Sequence, residues 1–237
     1  AHRKSWILQM KIFCQDLKFV LINFLIVFLL FSNNAKSERI FSEYLVISSG
    51  IKIGQFTWLL NIDEDKYETE ILLKNSGLFS PLYKFKGEYV SEGVIDNNYF
   101  KTKYYKQHWK TNKKTKVVEM YFEDKLTSLK QQPEENEVAR LNLYNLFGYF
   151  DPIVSFINIL NGKILAKTID GRRVYNMSKI NIGDSEKITL EIQDYTNIWA
   201  DHKRNDLKKI EFYLDDGFLP VKINVYFKER AFILKKI

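Results

Sequence analysis

The chain has 237 residues, 46% of them hydrophobic and 15% aromatic, with 18 Phe and 14 Tyr. That is ample material for a core, so the composition excludes a disordered polypeptide, and the length suits one large domain. The formal charge of +7 first suggests nucleic acid, but Arg3, Lys4, Lys11, Lys18 and Lys36 against Asp16 place +4 of it in residues 1–37 and leave only +3 for the rest, which is an ordinary surface.

The first predicted element is a leader. From Met10 the chain has a short basic start, thirteen mainly apolar residues from Phe19 to Phe31, and then small polar residues, the three-part layout of a secretory signal peptide. A membrane-spanning helix needs about 20 apolar residues, so cleavage is expected, with an uncleaved anchor as the alternative. Ala35 and Ser37 supply the small side chains before a cut after Ser37. Residues 1–9 contain no Met and read as upstream residues. Residues 10–37 are then the signal peptide and 38–237 a single β-rich domain. Cys14 is the only cysteine, so the mature chain would hold no disulfide, thiolate metal site or cysteine nucleophile.

In "SSGIKIGQFTW", residues 48–58, Ile51 and Ile53 are apolar at odd positions, whereas Phe56, Trp58, Leu60 and Ile62 are apolar at even ones. The inward face changes parity at Gly54-Gln55, which predicts a β-bulge, while Gly50 predicts a turn from the preceding strand. A helix would have to follow a phosphate-cradling loop, and here a strand follows.

Alternation returns at Tyr67, Thr69, Ile71 and Leu73, at Val118, Met120 and Phe122, at Ile188, Leu190 and Ile192, and at Val221, Ile223 and Val225. These are half-buried antiparallel strands. Turn signals separate them at 62–65, 111–114, 169–172 and 215–217, with Asp170-Gly171 suited to a two-residue hairpin loop. The count predicts about nine or ten strands.

One segment breaks the pattern. Asp151 can cap a helix that starts at Pro152, carries an apolar stripe of Ile153, Phe156, Ile157 and Leu160, and ends at Asn161-Gly162. A helical turn around Leu141 to Phe147 is expected before it. The fold class is therefore mainly β (α+β): a curved antiparallel sheet or half-barrel with one helical segment on its concave face.

"YLVISSGIKIGQF", "NSGL" at 75–78, "FDPIVSFINIL", "IDGRRVYNM" and "DDGFLPVKINV" occur in the order seen in domain-of-unknown-function family 3108, and over most of residues 40–230 the chain resembles this family of exported Gram-negative proteins. The resemblance implies a periplasmic location and a fold, and no activity. More distantly, the plan is similar to the lipoprotein-localisation-factor half-barrels, in which a curved sheet holds helices and takes acyl chains.

The chemistry-bearing residues are sparse. His108 and His202 are the histidines after the leader and lack metal-ligand spacing; His202 could pair with Asp201 as acid and base, but a solvated loop position is expected for it. Asp151, Asp170, Asp215 and Asp216 could in principle pair for glycoside cleavage, but each has a structural task as a cap or in a turn. Residues 101–116 hold seven lysines and no acid, interleaved with Tyr104, Tyr105 and Trp109. With export expected, Lys103, Lys106, Lys110, Lys113 and Lys114 read as contacts to an anionic membrane surface or as solvated edge protection. Arg172 and Arg173 are expected on the outer face of a strand.

A curved, incompletely filled sheet would leave Phe56, Trp58, Phe147, Phe150, Phe156, Ile157 and Leu160 to line a pocket for an acyl chain. The reading is a non-enzymatic envelope protein of the periplasm that binds a hydrophobic or lipid-like component, with no cofactor and no nucleic acid. A scaffold with a solid core and a protein partner is the rival, and an envelope glycan hydrolase the third class.

Overall fold

The computed structural model describes residues 37–77, 84–181, 186–199, 207–228 and 230–237. The leader through residue 36 and His202 lie outside them. The described residues form one sheet of strands β1 (Ser37–Ser48), β2 (Ile51–Asp63), β3 (Lys66–Asn75), β4 (Phe85–Asp96), β5 (Tyr99–Thr111), β6 (Thr115–Phe122), β7 (Leu126–Gln132), β8 (Tyr149–Phe150), β9 (Leu165–Ile169), β10 (Arg173–Lys179), β11 (Lys187–Asn197), β12 (Leu207–Tyr213), β13 (Lys222–Phe227) and β14 (Ala231–Lys236), with one helix, α1 (Pro152–Leu160). No helix among the described residues is long and apolar enough to cross a membrane.

The sheet runs β7-β6-β5-β4-β3-β2-β1-β14-β13-β12-β11-β10-β9-β8. Every pair is antiparallel except β8–β9, which the helix connects as a parallel unit. Its two edges come together where Lys125, just before β7, bridges to Phe147, just before β8. The result is a nearly closed barrel of fourteen strands, which corrects the expected nine or ten.

The undercount has a physical cause. On β4 the inward positions are Gly87, Tyr89, Ser91 and Gly93, paired with Leu73, Ile71, Thr69 and Tyr67 of β3, so apart from Tyr89 the inward face of β4 is small or polar and shows no apolar alternation. On β5 a register shift opposite Glu92 and Gly93 moves the inward set from Phe100 and Thr102 to Tyr105, Gln107 and Trp109.

The opening stretch behaves as expected, one residue earlier. Val46 pairs with Gly54 and Ile47 with Lys52, so Ile53 is the extra residue of the bulge. Gly54 meets a close approach: a Cβ there would lie 2.8 Å from the Lys74 carbonyl oxygen. Ser49 and Gly50 turn the chain with φ of 50° and 78°. In the β9–β10 hairpin Ile169 pairs with Val174, so Gly171-Arg172 is the central pair, not Asp170-Gly171. Gly171 alone of that pair has positive φ, 83°, the pattern of a type II′ turn. Asp170 sits one residue outside and accepts from the N–H groups of Arg172 and Arg173 at 2.8 and 2.7 Å.

The helix begins and ends as its sequence dictates: Asp151 Oδ1 accepts from Ile153 N–H at 2.8 Å and Val154 N–H at 3.2 Å, and Pro152 opens the first turn. Its burial differs from a single stripe. Ile153, Val154, Ser155, Ile157, Asn158 and Ile159 are all buried, because the helix lies inside the curved sheet and meets wall on most sides. The polar members are each bonded. Asn158 brackets the backbone of Phe100, donating to its carbonyl at 2.9 Å and accepting from its N–H at 2.8 Å. Ser155 Oγ accepts from Thr168 Oγ1 at 2.8 Å. The expected turn before it is a short 3-10 helix at Leu143–Asn145.

Candidate ligand cavity

Two adjoining cavities lie inside the curved sheet, and only the inner one touches the helix. The inner one, about 310 Å³, is bounded by α1 through Pro152, Ile153 and Phe156 and by strands on both sides of the β1–β14 junction, among them Trp58, Tyr105, Tyr175 and Phe212. The outer one, about 570 Å³, is walled by Ile53, Phe85, Trp109, Phe227 and Phe232. Phe56, Leu73, Val225 and Leu234 border both and form the shared boundary, here the throat, between them. Both volumes fall within the ordinary range for small-molecule sites, about 300 to 1,000 Å³.

The space follows from the sequence. Gly54 leaves an inward position of β2 without a side chain, and Gly54 lines the outer cavity. The remaining aromatics are held by one another: Phe85 and Trp109 lie 4.3 Å apart, Phe227 and Phe232 5.6 Å, Tyr44 and Phe56 5.5 Å, Phe156 and Phe212 5.2 Å, geometries in the favourable tilted and edge-on range. Trp58 Nε1 donates to Thr69 Oγ1 at 2.9 Å, so its polar atom is satisfied in the wall.

The floor of the inner cavity is more polar. Asp170, Tyr89, Tyr105, Tyr175 and Gln107 all border it. Burial pushes the Asp170 carboxyl above its usual range, against the two N–H bonds and the positive charges of Arg172 and Arg173. Burial also holds the hydroxyls of Tyr105 and Tyr175 protonated, well above the ordinary tyrosine value.

The seven residues expected to line a pocket divide. Phe56, Trp58 and Phe156 do so. Ile157 is fully buried core and borders neither cavity, and the same holds for the half-buried Leu160. Phe150 lies under the Lys163 ammonium, 4.5 Å from its ring centre. Phe147 is 59% exposed, with Lys125 at 5.2 Å from its ring. Phe147 is exposed where the seam bridges it to Lys125, and Phe150, half-buried on β8, packs against the core without bordering either cavity. Tyr89, Tyr105, Leu73 and Val225 were not singled out as lining; period-two alternation from Leu73 and Val225 was the available signal.

The five lysines also divide. Lys106 pairs with Glu119 on the outer wall at 3.0 Å, and the exposed Lys103 shares a shallow cleft with Asp63, Glu68 and Glu92. Lys110, Lys113 and Lys114 are exposed at the β5–β6 end of the barrel. His108 Nδ1 lies 3.0 Å from Glu88 on the outer face.

Of the four carboxylates, Asp151 is fully buried and engaged beyond its cap: Oδ2 accepts from Thr102 Oγ1 at 2.6 Å and Ser91 Oγ at 2.8 Å. Tyr67 adds its hydroxyl to Ser91 at 3.2 Å. This ties the helix start to β4 and β5. Asp215 accepts from Gly217 N–H at 2.8 Å, and Asp216 is exposed beside it. Among the described residues no group of three or more His, Cys, Asp or Glu is placed to hold a metal ion.

The model of the family "Protein of unknown function (DUF3108)" matches residues 43–229. No curated protein matches the chain. A solved structure from Brucella abortus, a β-barrel-like protein of domain of unknown function DUF1849, is 12% identical with a TM-score of 0.45 over 86% of this chain and 96% of that one.

Proposed function

The chain belongs to the DUF3108 family, and from that premise we propose that it is a non-enzymatic binding protein of the cell envelope, exported to the periplasm, that holds a hydrophobic or acyl-bearing molecule between sheet and helix. The observation that supports this is the outer cavity of about 570 Å³, walled by apolar and aromatic side chains and sharing Phe56, Leu73, Val225 and Leu234 with the inner one. Each acyl methylene buried there contributes about 0.8 kcal/mol. A scaffold would be expected to fill that space with its own side chains. Two of the candidate acids support the same reading, since Asp151 Oδ1 and Asp170 Oδ1 are engaged by helix and turn N–H groups and Asp151 Oδ2 by the Ser91 and Thr102 hydroxyls.

The test is extraction of the protein purified without detergent, with mass spectrometry of the organic phase, and titration with an environment-sensitive alkyl fluorophore. A co-purified acyl compound, or saturable dye binding weakened by Val225→Trp at the throat, is the expected result. An empty extract together with no dye binding refutes the proposal. Fractionation of cells of the source organism checks export: recovery from the cytosol with the leader attached would refute that part.

A further inference from the structure

The hairpins at the two ends of the barrel carry opposite charge. Around the outer cavity, the β1–β2 end holds Lys52, the β3–β4 connection Lys84, the β5–β6 turn Lys113 and Lys114, and the β13–β14 turn Lys228 and Arg230, all exposed. In the sequence of these four turns the one acid is Glu229, between Lys228 and Arg230, so the net charge of the group stays positive. At the other end of the same strands the β2–β3 turn carries Glu64 and Asp65, the β6–β7 turn Glu123 and Asp124, and the β12–β13 connection Asp215 and Asp216. The acidic loop after β7 belongs elsewhere: Glu134 and Glu135 border a separate cleft with Leu143, Tyr144 and Trp199.

The cavity is placed at the basic end. Its wall residues Asn75, Phe85, Trp109 and Phe227 lie at or within two residues of the strand ends that those turns join. An apolar bore with a cationic rim matches one class of molecule, since an alkyl chain gains by leaving water while an anionic head gains by staying beside the lysines.

Resting on the carrier reading above, we infer that the ligand is an anionic amphiphile, bound with its alkyl chain in the outer cavity and its phosphate or carboxylate head at the rim formed by Lys52, Lys84, Lys113, Lys114, Lys228 and Arg230. The deep end of the bore determines the polarity of entry. A head carried past Phe56, Leu73, Val225 and Leu234 would meet Asp170 and the hydroxyls of Tyr105 and Tyr175 among apolar walls, with none of the six rim cations beside it. The head therefore remains outside.

The full chain is titrated with dodecanol, dodecyl phosphate, dodecanoate and dodecyltrimethylammonium, reading displacement of an alkyl fluorophore at low salt and at about 1 M, where the screening length falls to about 3 Å. Both anions are expected to bind about tenfold tighter than dodecanol at low salt, with the preference shrinking toward unity at high salt; the tighter of the two names the head chemistry. The triple variant Lys113→Glu, Lys114→Glu, Lys228→Glu should lose the preference and keep its dodecanol affinity, which also reports that it is folded. The salt response of the unaltered chain tests the same point without any variant. Equal binding of dodecanol and the anions, or tightest binding of the cation, overturns the head-group inference and leaves the carrier reading standing. Absence of binding by all four overturns the carrier reading itself.

Discussion

Removing the Asp151 carboxylate should loosen the helix from the wall, and the structure sets the size of the effect. Asp151→Ala deletes an N-cap, worth about 1 kcal/mol. It also strips one partner from each of two buried hydroxyls, Ser91 and Thr102, at about 1 kcal/mol apiece at the low end of the range, since Ser91 keeps Tyr67. The sum is about 3 kcal/mol, which for a domain of this length lowers the melting temperature by about 6 to 12 °C. Asp151→Asn preserves the cap and should cost about 1 kcal/mol. Thermal unfolding followed by circular dichroism measures both. Thr102→Val added to Asp151→Ala should cost much less than its own single effect, because the two share one network. Strict additivity, or a loss below about 1 kcal/mol for Asp151→Ala, would refute the assignment of Asp151 as the anchor.

The same residue has a pH signature. Burial raises its carboxyl above the ordinary value of 3.8, opposed by the bonds from Thr102, Ser91, Val154 and Ile153. A folded-state value above the unfolded one means the contribution is fully present below 3.8 and is lost as pH rises through the folded value. The deficit of Asp151→Asn against the unaltered chain should therefore be largest in acid and narrow toward neutrality. A deficit that widens with pH would show the ionised form to be the favoured one.

Glu211, on the outer wall, behaves in the opposite sense. Burial alone would raise it, but bonds from Tyr226, Lys187, Lys209 and Asn224 more than offset that and push it down to about 2 from 4.5. Its stabilisation is present above 4.5 and lost as pH falls toward 2, so Glu211→Gln should flatten the acid limb of the stability profile, measured by denaturant unfolding across that window. Gly171→Ala should destabilise by about 2 kcal/mol or more, since φ is positive and a Cβ would collide with Val118; Gly50→Ala, with open space, should cost about 1 kcal/mol, and chemical denaturation ranks them. Val225→Trp should weaken long-chain ligands far more than short ones that stay in the outer cavity, read by dye displacement. Equal loss for both lengths would place the chain elsewhere.

Legibility in the sequence tracked how strongly one physical constraint dominated each segment. The helix was readable to the residue because capping, a proline at the first position and a terminal glycine acted together at Asp151, Pro152 and Gly162. β3 and β13 were readable because one face is apolar. β4 was not, since Ser91 serves Asp151 and Gly87 and Gly93 yield room, so the inward face lost its apolar signature. Asn158 likewise reads as a surface residue until the helix is placed inside the sheet, where its amide pairs with the Phe100 backbone. The cavity was half legible: Phe56, Trp58 and Phe156 follow from alternation and helical spacing, whereas Phe147 and Phe150 depended on where the edges of the sheet meet. The charged rim could not be read from the lysine run alone, because its members come from four hairpins that only the barrel brings together.

Strand neighbours in this barrel are also neighbours along the chain, apart from the junction of β1 with β14. There the last residue, Ile237, donates its N–H to the Glu43 carbonyl at 3.0 Å. A chain recut in the loop between β7 and the 3-10 turn, with its old ends spliced by a flexible segment, would trace β8 to β14 and then β1 to β7 with each strand beside its neighbour in sequence, an antiparallel zigzag after the one helical crossover from β8 to β9. Such a rearranged polypeptide would keep every ladder of the native barrel and make the β1–β14 ladder a local one, leaving the single Lys125–Phe147 bridge as the contact between sequence-distant edges.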